Sequence, residues 1–385
     1  MSTLGTIKGI TPNQSGNSLT LQESFYLLFQ LYSNNLIIVL DRYNNLQQAL
    51  PEIDQLLKKG IENCFGRDKY VILCDDDTKL MNRLCSKGGP FERLSAAPIQ
   101  IKAMDYADAA LFYPDYSPAD RIRMYAAFGG MPDVLRLIDG KAPVRENIIR
   151  QFVGTDTIIG RMIRELVNDI GSLANVNSIL CAMAEGAESF ADILAKSHLS
   201  SAPALVDLLN KMLEAGIIRK EMPVNDPNNR RRARYSIASP AVAFWFRYIF
   251  PNQSLLWSMT SDDFYDRYIA DDFEKNYLSK VFSEVCKQYL HRLYKVNEAN
   301  KSLHIGRHSY YDRHAKVMHD VPLVVMEDDE SAAYLPVSSE LPLTNADMRK
   351  SCGLMKKLIC TVVNTISSPS VAFQTRNRHS VPSES

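Results

Sequence analysis

Four arginines within five residues, Arg230, Arg231, Arg232 and Arg234, form the most reactive-looking cluster in this 385-residue chain. Guanidinium groups at that density suit contact with phosphate oxygens or insertion into a minor groove, and Asn228 and Asn229 extend the same polar tip. The helical stretch that precedes it, Ser200 to Glu214, adds Lys211 as its one cation. A second chemistry is available to carboxylates. Asp41 follows the apolar run Leu36 to Leu40, and Asp75, Asp76 and Asp77 follow Tyr70 to Cys74. An acid at a strand end either holds Mg²⁺ or caps the turn. Three successive acids cannot all point inward, so Asp75 to Asp77 read as a solvated turn. His304, His308, His314 and His319 are spaced by 4, 6 and 5, which fits no zinc pattern, so no metal site is expected. The seven cysteines are scattered and include no Cys-x-x-Cys pair, which predicts reduced thiols.

The elements that must position these residues follow from periodicity. Residues 1–18 are polar and predict a flexible lead. Leu21, Phe25, Leu28, Leu31 and Tyr32 recur at helical spacing. Leu36 to Leu40 and Tyr70 to Cys74 read as buried parallel strands separated by the amphipathic helix Leu46 to Cys64, and Pro98 to Lys102 as a weaker third strand. A helical region with an interruption at Gly129-Gly130-Met131-Pro132 comes next, and Arg145 to Asp169 reads as mostly helical. Asn177 to Glu185, Ser189 to Lys196 and Ser200 to Glu214 are three short helices leading into strands at 217–220 and 230–237. That order predicts a winged helix-turn-helix with the arginines on its wing. The aromatic block Phe244 to Phe250 predicts a core helix, and 262–293 a long amphipathic helical region. Strands are expected at Leu323 to Met326 and Tyr334 to Val337, then a helix over 346–366 and a disordered tail over 367–385.

Several of these segments together resemble one family, the archaeal-type ATPases of the P-loop AAA+/STAND kind. They are LIIVLDRYNNL, YVILCDDDTKLM, GGPFER, FGGMPDVL, the winged helix, YSIASPAVAFWFRYIFPNQSLL, FEKNYLSKVFSEVCKQYL and LHIGRHS. The resemblance runs from about residue 19 to about residue 360. It implies an α/β fold made of a nucleotide-binding domain, a helical lid, a winged helix and a C-terminal restriction-endonuclease-like domain. In such proteins a strand ending in Asp-Glu holds Mg²⁺ and polarises the attacking water. Here Asp41 keeps the first position and Arg42 takes the second, and a cation cannot accept a proton from water. The phosphate-binding loop is absent too. The single Gly-Lys pair, Gly140-Lys141, is followed by Ala142 and has Leu135 where the first glycine belongs. About 35 residues precede the Asp41 strand, so the resemblance implies a chain that begins at the helix before it. Arg93 resembles a family arginine that reaches nucleotide. The nuclease-like signature would use Asp320 as its first acid, with Ser338 and Glu340 standing where Glu and Lys are expected.

The resulting expectation is an α/β protein comprising a truncated ATPase-like domain (19–115), a helical lid (116–171), a winged helix (172–240), and linker helices with a degenerate nuclease-like domain (241–366). It would be a pseudo-ATPase that binds double-stranded DNA, a protein partner or both, through Lys211 and the wing arginines. No cofactor is expected. The alternative is an ATP-hydrolysing enzyme using Mg²⁺, whose P-loop lies in a missing N-terminal segment or a partner subunit. The 44 Lys plus Arg balance 44 Asp plus Glu, which excludes a globally basic nucleic-acid coat. The balance is a cancellation: residues 225–234 carry four Arg against Asp226, a net of +3, and residues 291–316 carry six cations against two acids, a net of +4. No apolar run reaches the roughly 18 residues that span a bilayer, so a cytoplasmic protein without membrane partners is expected.

Overall fold

The computed structural model describes residues 36–62, 69–94, 98–168, 170–199, 201–296, 303–312, 317–327 and 331–334. The lead, the helices expected at 19–32 and 346–366, and the tail lie outside the described residues. The chain divides into two compact units, residues 1–101 and 102–385.

In the first unit, β1 (Leu36–Leu40) and β2 (Lys69–Leu73) pair in parallel, Leu36 opposite Lys69 and Leu40 opposite Leu73. Two parallel neighbours require a crossover, supplied by α1 (Tyr43–Ala49) and α2 (Ile53–Glu62); α3 (Thr78–Cys85) follows β2. Strand side chains alternate between faces, and Ile38 faces a core of Tyr43, Leu50, Ile53, Leu57, Leu80, Leu84 and Phe91. The strand expected over Pro98 to Lys102 is not formed. Among the described residues they pair with no strand, and Ile99 and Ile101 are 86% and 93% exposed.

The second unit opens with helices. α4 (Pro118–Phe128) starts where the Ser117 hydroxyl accepts the Asp120 amide and Pro118 occupies the first turn. It stops at Gly129, whose φ of +68° suits glycine. The next glycine has a different cause. A Cβ on Gly130 would lie 1.8 Å from the Met104 carbonyl oxygen, while the Met104 amide donates to the Gly130 carbonyl at 2.8 Å. The two glycines of FGGMPDVL therefore end a helix and admit a second stretch of backbone. The region expected to be helical from 145 to 169 is two helices, α5 (Val144–Phe152) and α6 (Ile158–Asn168).

Three further helices, α7 (Leu173–Ala184), α8 (Phe190–Lys196) and α9 (Ala202–Glu214), precede an antiparallel ribbon of β3 (Ile218–Glu221) and β4 (Arg234–Ile237). The second ribbon strand is shorter than expected, because Arg230–Arg232 form a 3₁₀ turn in front of it. α10 (Pro240–Phe244) then runs into a π-helical turn, Trp245–Ile249. α11 (Ser261–Tyr268) is followed by a second π turn, Phe273–Tyr277, that leads into α12 (Leu278–Val296). Phe128, Phe152, Phe244, Tyr248, Phe273 and Tyr277 form one aromatic cluster, with Phe244 4.6 Å from Phe152 and 4.8 Å from Tyr248 between ring centroids.

Arg247 and Asp272 join the two π-helical regions. The guanidinium donates to both carboxylate oxygens, at 2.6 and 2.9 Å, and to the Ala184 carbonyl at the end of α7. Tyr248 and Asn276 complete the carboxylate's partners, and the Arg247 hydrogen bonds lower the Asp272 pKa to about 2.

The chain ends its described part in an antiparallel meander, β5 (Leu303–Asp312), β6 (Val317–Glu327) and β7 (Ser331–Tyr334), in that spatial order. β5 was not expected as a strand, and Asp320 lies inside β6 rather than before it. The architecture is thus mixed α/β, rich in helix, with small sheets.

Candidate functional site

The arginine turn is positioned by the C-terminal meander. Residues 224 and 225, in the connection between β3 and β4, run along the free edge of β5. The Val224 amide donates to the Arg307 carbonyl at 2.8 Å. The Asn225 side chain donates to the Ser309 carbonyl at 2.9 Å and accepts the Ser309 amide at 3.1 Å. That approach needs Gly306, since a Cβ there would sit 2.8 Å from the Val224 side chain. Next to it β5 carries an irregularity between Gly306 and His308.

The four arginines divide into two pairs at this contact. Arg232 pairs with Asp226 at 3.3 Å and donates to the Ser309 carbonyl at 3.2 Å. Arg234 pairs with Asp320 at 2.8 Å. Asp320 also receives Arg307, at 2.6 Å, and Arg307 donates its other terminal nitrogen to the Arg232 carbonyl. The Arg307 side chain is only 8% exposed. Burial opposes ionisation of Asp320, but the Ser309 hydrogen bond and the charges of Arg307 and Arg234 outweigh it and hold its carboxyl below the usual carboxylate range. Arg230 and Arg231, by contrast, are exposed and make no ion pair among the described residues.

The face of β3 that meets α12 is neutralised as well. Arg219 pairs with Glu284 at 3.1 Å, and Glu221 with Lys287 at 2.6 Å. Lys220 lies over the Tyr235 ring at 5.9 Å. Lys211, on α9, pairs with Asp207 one turn earlier at 2.9 Å.

The nucleotide-site residues taken from the resemblance sit in local roles in the first unit. Asp41 and Arg42 are exposed, and the Asp41 carboxylate accepts the Arg42 amide at 3.0 Å, with Arg42 in the left-handed region at φ 51°. Asp75 accepts the Asn44 and Asp77 amides, and Asp77 caps α3 through the Leu80 amide at 2.9 Å. The acids at this end of the sheet therefore close turns. Arg93 is exposed in a turn after α3, and Gly140-Lys141 form a turn ahead of α5. Ser338 and Glu340 lie outside the described residues, as does His314. Among the described residues no three His, Cys, Asp or Glu side chains are grouped to hold a metal ion. Cys286 is buried, and burial pushes its thiol up to about 12; Cys181 is shifted likewise.

Sequence reasoning missed Arg307, Asp226 and Asn225. In the sequence Gly306-Arg307-His308 belong to LHIGRHS, to the basic stretch 291–316 and to the histidine spacing, and none of these marks them as the ribbon's anchor. The one available signal was a buried-strand pattern interrupted by glycine and arginine, which marks a close backbone approach with a paired charge.

Fold and site define a mixed α/β protein with a helix-supported ribbon whose basic tip is anchored to a small antiparallel sheet. No helix among the described residues is long and apolar enough to cross a membrane. A family described as archaeal and bacterial proteins of unknown function, DUF234, matches residues 245–336, from the first π turn to just beyond β7. The chain is also similar to an uncharacterized protein of Methanocaldococcus jannaschii, with 23% identity over 320 residues, covering 82% of this chain and 70% of the relative.

Proposed function

We propose that this protein is a non-catalytic binding protein that contacts duplex DNA through the tip of the β3–β4 ribbon, on a fold related to the archaeal-type ATPases. One observation carries the reading: Arg230 and Arg231 project from the turn without an ion pair among the described residues, while their neighbours, Arg232 and Arg234, are fixed by Asp226 and Asp320. A tip held in this way presents two guanidinium groups to phosphates without first having to be ordered. The three helices followed by a ribbon support its description as a winged helix. The contact is a backbone one, since α9 offers Lys211 alone among cations and that residue is already paired. The pseudo-ATPase part rests on Asp41 and Asp75 serving as turn caps, and on Arg42 standing where a base is needed.

Titration of a labelled duplex at several salt concentrations tests this. Affinity should fall as salt rises. Arg230→Ala/Arg231→Ala should reduce the slope of log K against log salt by about 2, close to one for each phosphate that is no longer neutralised. Binding that ignores salt, or a double variant indistinguishable from the parent, refutes the DNA reading and leaves a protein partner. Nucleotide binding abolished by Asp41→Ala would refute the pseudo-enzyme reading and restore the ATP- and Mg²⁺-dependent alternative.

A further inference from the structure

A cavity of about 340 Å³ lies between α6, α7 and the π turn that follows α10. Spacing along α6 puts Arg161, Arg164, Glu165 and Asn168 on one side of that helix, since residues three and four apart share a face. Leu173 and Asn177, four apart, line the cavity from α7, and Trp245 and Phe250 line it from the π turn and the residue after it.

The apolar part suits a ring. The Trp245 and Phe250 ring centroids are 5.3 Å apart with their planes tilted by 48°, an arrangement that accepts a third ring edge to face. Val167 and Leu173 add aliphatic contact, and Leu173 is 45% exposed. The polar part suits one carboxylate. Arg161 and Arg164 both reach the same Asp156 oxygen, at 3.7 and 3.4 Å, distances that hold a guanidinium loosely. Arg247 and Asp272, by comparison, meet at 2.6 Å. The two guanidiniums on α6 therefore keep most of their donors for another acceptor, and a guanidinium fits a carboxylate through two parallel hydrogen bonds. Gly160 lets the donors converge, because the position of a Cβ there is 3.4 Å from Trp245 Nε1 and 3.5 Å from Arg164 Nη1.

Charge and size narrow the ligand. Arg161 and Arg164 stand against Asp156 and Glu165, a formal sum of zero, so a polyanion gains no net attraction here while a single carboxylate gains directed hydrogen bonds. The volume lies near the bottom of the roughly 300–1,000 Å³ range of small-molecule sites, room for one ring and a short acid chain. We propose that this cavity binds a small aromatic carboxylate, its ring against Trp245, Phe250 and Leu173 and its carboxylate at Arg161 and Arg164. The site is separate from the arginine tip and does not rest on the DNA reading.

Titration of 3-phenylpropionate into the full chain carrying Trp257→Phe tests the proposal. Trp257 is 80% exposed and lies outside the cavity lining, and replacing it leaves Trp245 as the one tryptophan. A saturable change in Trp245 emission is expected, together with saturation transfer to the ligand by NMR in the same samples. Arg161→Gln/Arg164→Gln changes two side chains that are 55% and 41% exposed, so the fold should persist while binding weakens by about tenfold or more. 3-Phenylpropanol, which lacks the carboxylate, should lose a similar factor, and phenyl phosphate should bind no more tightly than 3-phenylpropionate. Absence of a saturable signal by both methods would overturn the assignment, as would unchanged affinity in the double glutamine variant or a preference for phenyl phosphate. A tripeptide ending in phenylalanine that binds more tightly than 3-phenylpropionate by about tenfold or more would overturn the free acid as the ligand and give the site to a polypeptide terminus.

Discussion

Asp320→Ala separates a carboxylate that holds the ribbon in place from one that serves a metal-dependent nuclease. In the structure Asp320 pairs with two guanidiniums at once, Arg307 at 2.6 Å and Arg234 at 2.8 Å. Removing it leaves Arg307, 8% exposed, with the Arg232 carbonyl as its remaining partner and with its Nε already unsatisfied. Breaking a buried pair by deleting one partner costs about 3–5 kcal/mol. The Asp320 and Arg234 side chains are 27% and 26% exposed, so water recovers part of that, and a destabilisation of about 3 kcal/mol is expected. For a unit of this size, that corresponds to a melting-temperature drop of about 5–10 °C. Thermal and urea unfolding at pH 7 measure it. Arg307→Met/Asp320→Ala should recover most of that stability, because the Arg307 change removes the buried stranded charge and leaves only Arg234, 26% exposed, without its carboxylate. The pH dependence has a definite sign. The folded pKa of Asp320 lies below its ordinary 3.8, so its contribution is present above that value and is lost as the pH falls through the folded pKa. The gap between parent and variant should accordingly narrow below about pH 4. A variant melting within about 1–2 °C of the parent, or a double variant as unstable as the single one, would refute the reasoning. Mg²⁺-dependent cleavage that disappears in Asp320→Asn without loss of stability would return the residue to the nuclease role.

Two other perturbations have outcomes fixed by the structure. Asp272→Ala should cost about 3 kcal/mol at pH 7 in chemical unfolding, since it strands Arg247 and Tyr248 at the junction of the π turns; the cost should shrink between about pH 4 and the folded pKa of about 2. Gly130→Ala should destabilise by at least about 2 kcal/mol, visible as a lower melting temperature, because its Cβ would meet the Met104 carbonyl at 1.8 Å and force the two backbones apart.

The sequence by itself determined the local elements. Continuous β-branched runs specify β1 and β2, caps such as Ser117 and Ser189 start α4 and α8, and the apolar periodicity of α5 to α9 follows from the face each helix buries. These signals lie within a few residues of one another, so periodicity can read them. Tertiary structure decided the rest. Pro98 to Lys102 resembles a strand in composition but has no partner strand among the described residues, and strand formation requires one. β5 was hidden because its interior positions include Arg307 and Ser309, polar residues that burial tolerates only when Asp320, Arg232 and Asn225 satisfy them. The same holds for the four arginines. Along the chain they are equivalent charges. The acid that fixes Arg234 lies 86 residues away, and only the docking of the ribbon connection onto β5 brings it within reach, leaving Arg230 and Arg231 outside.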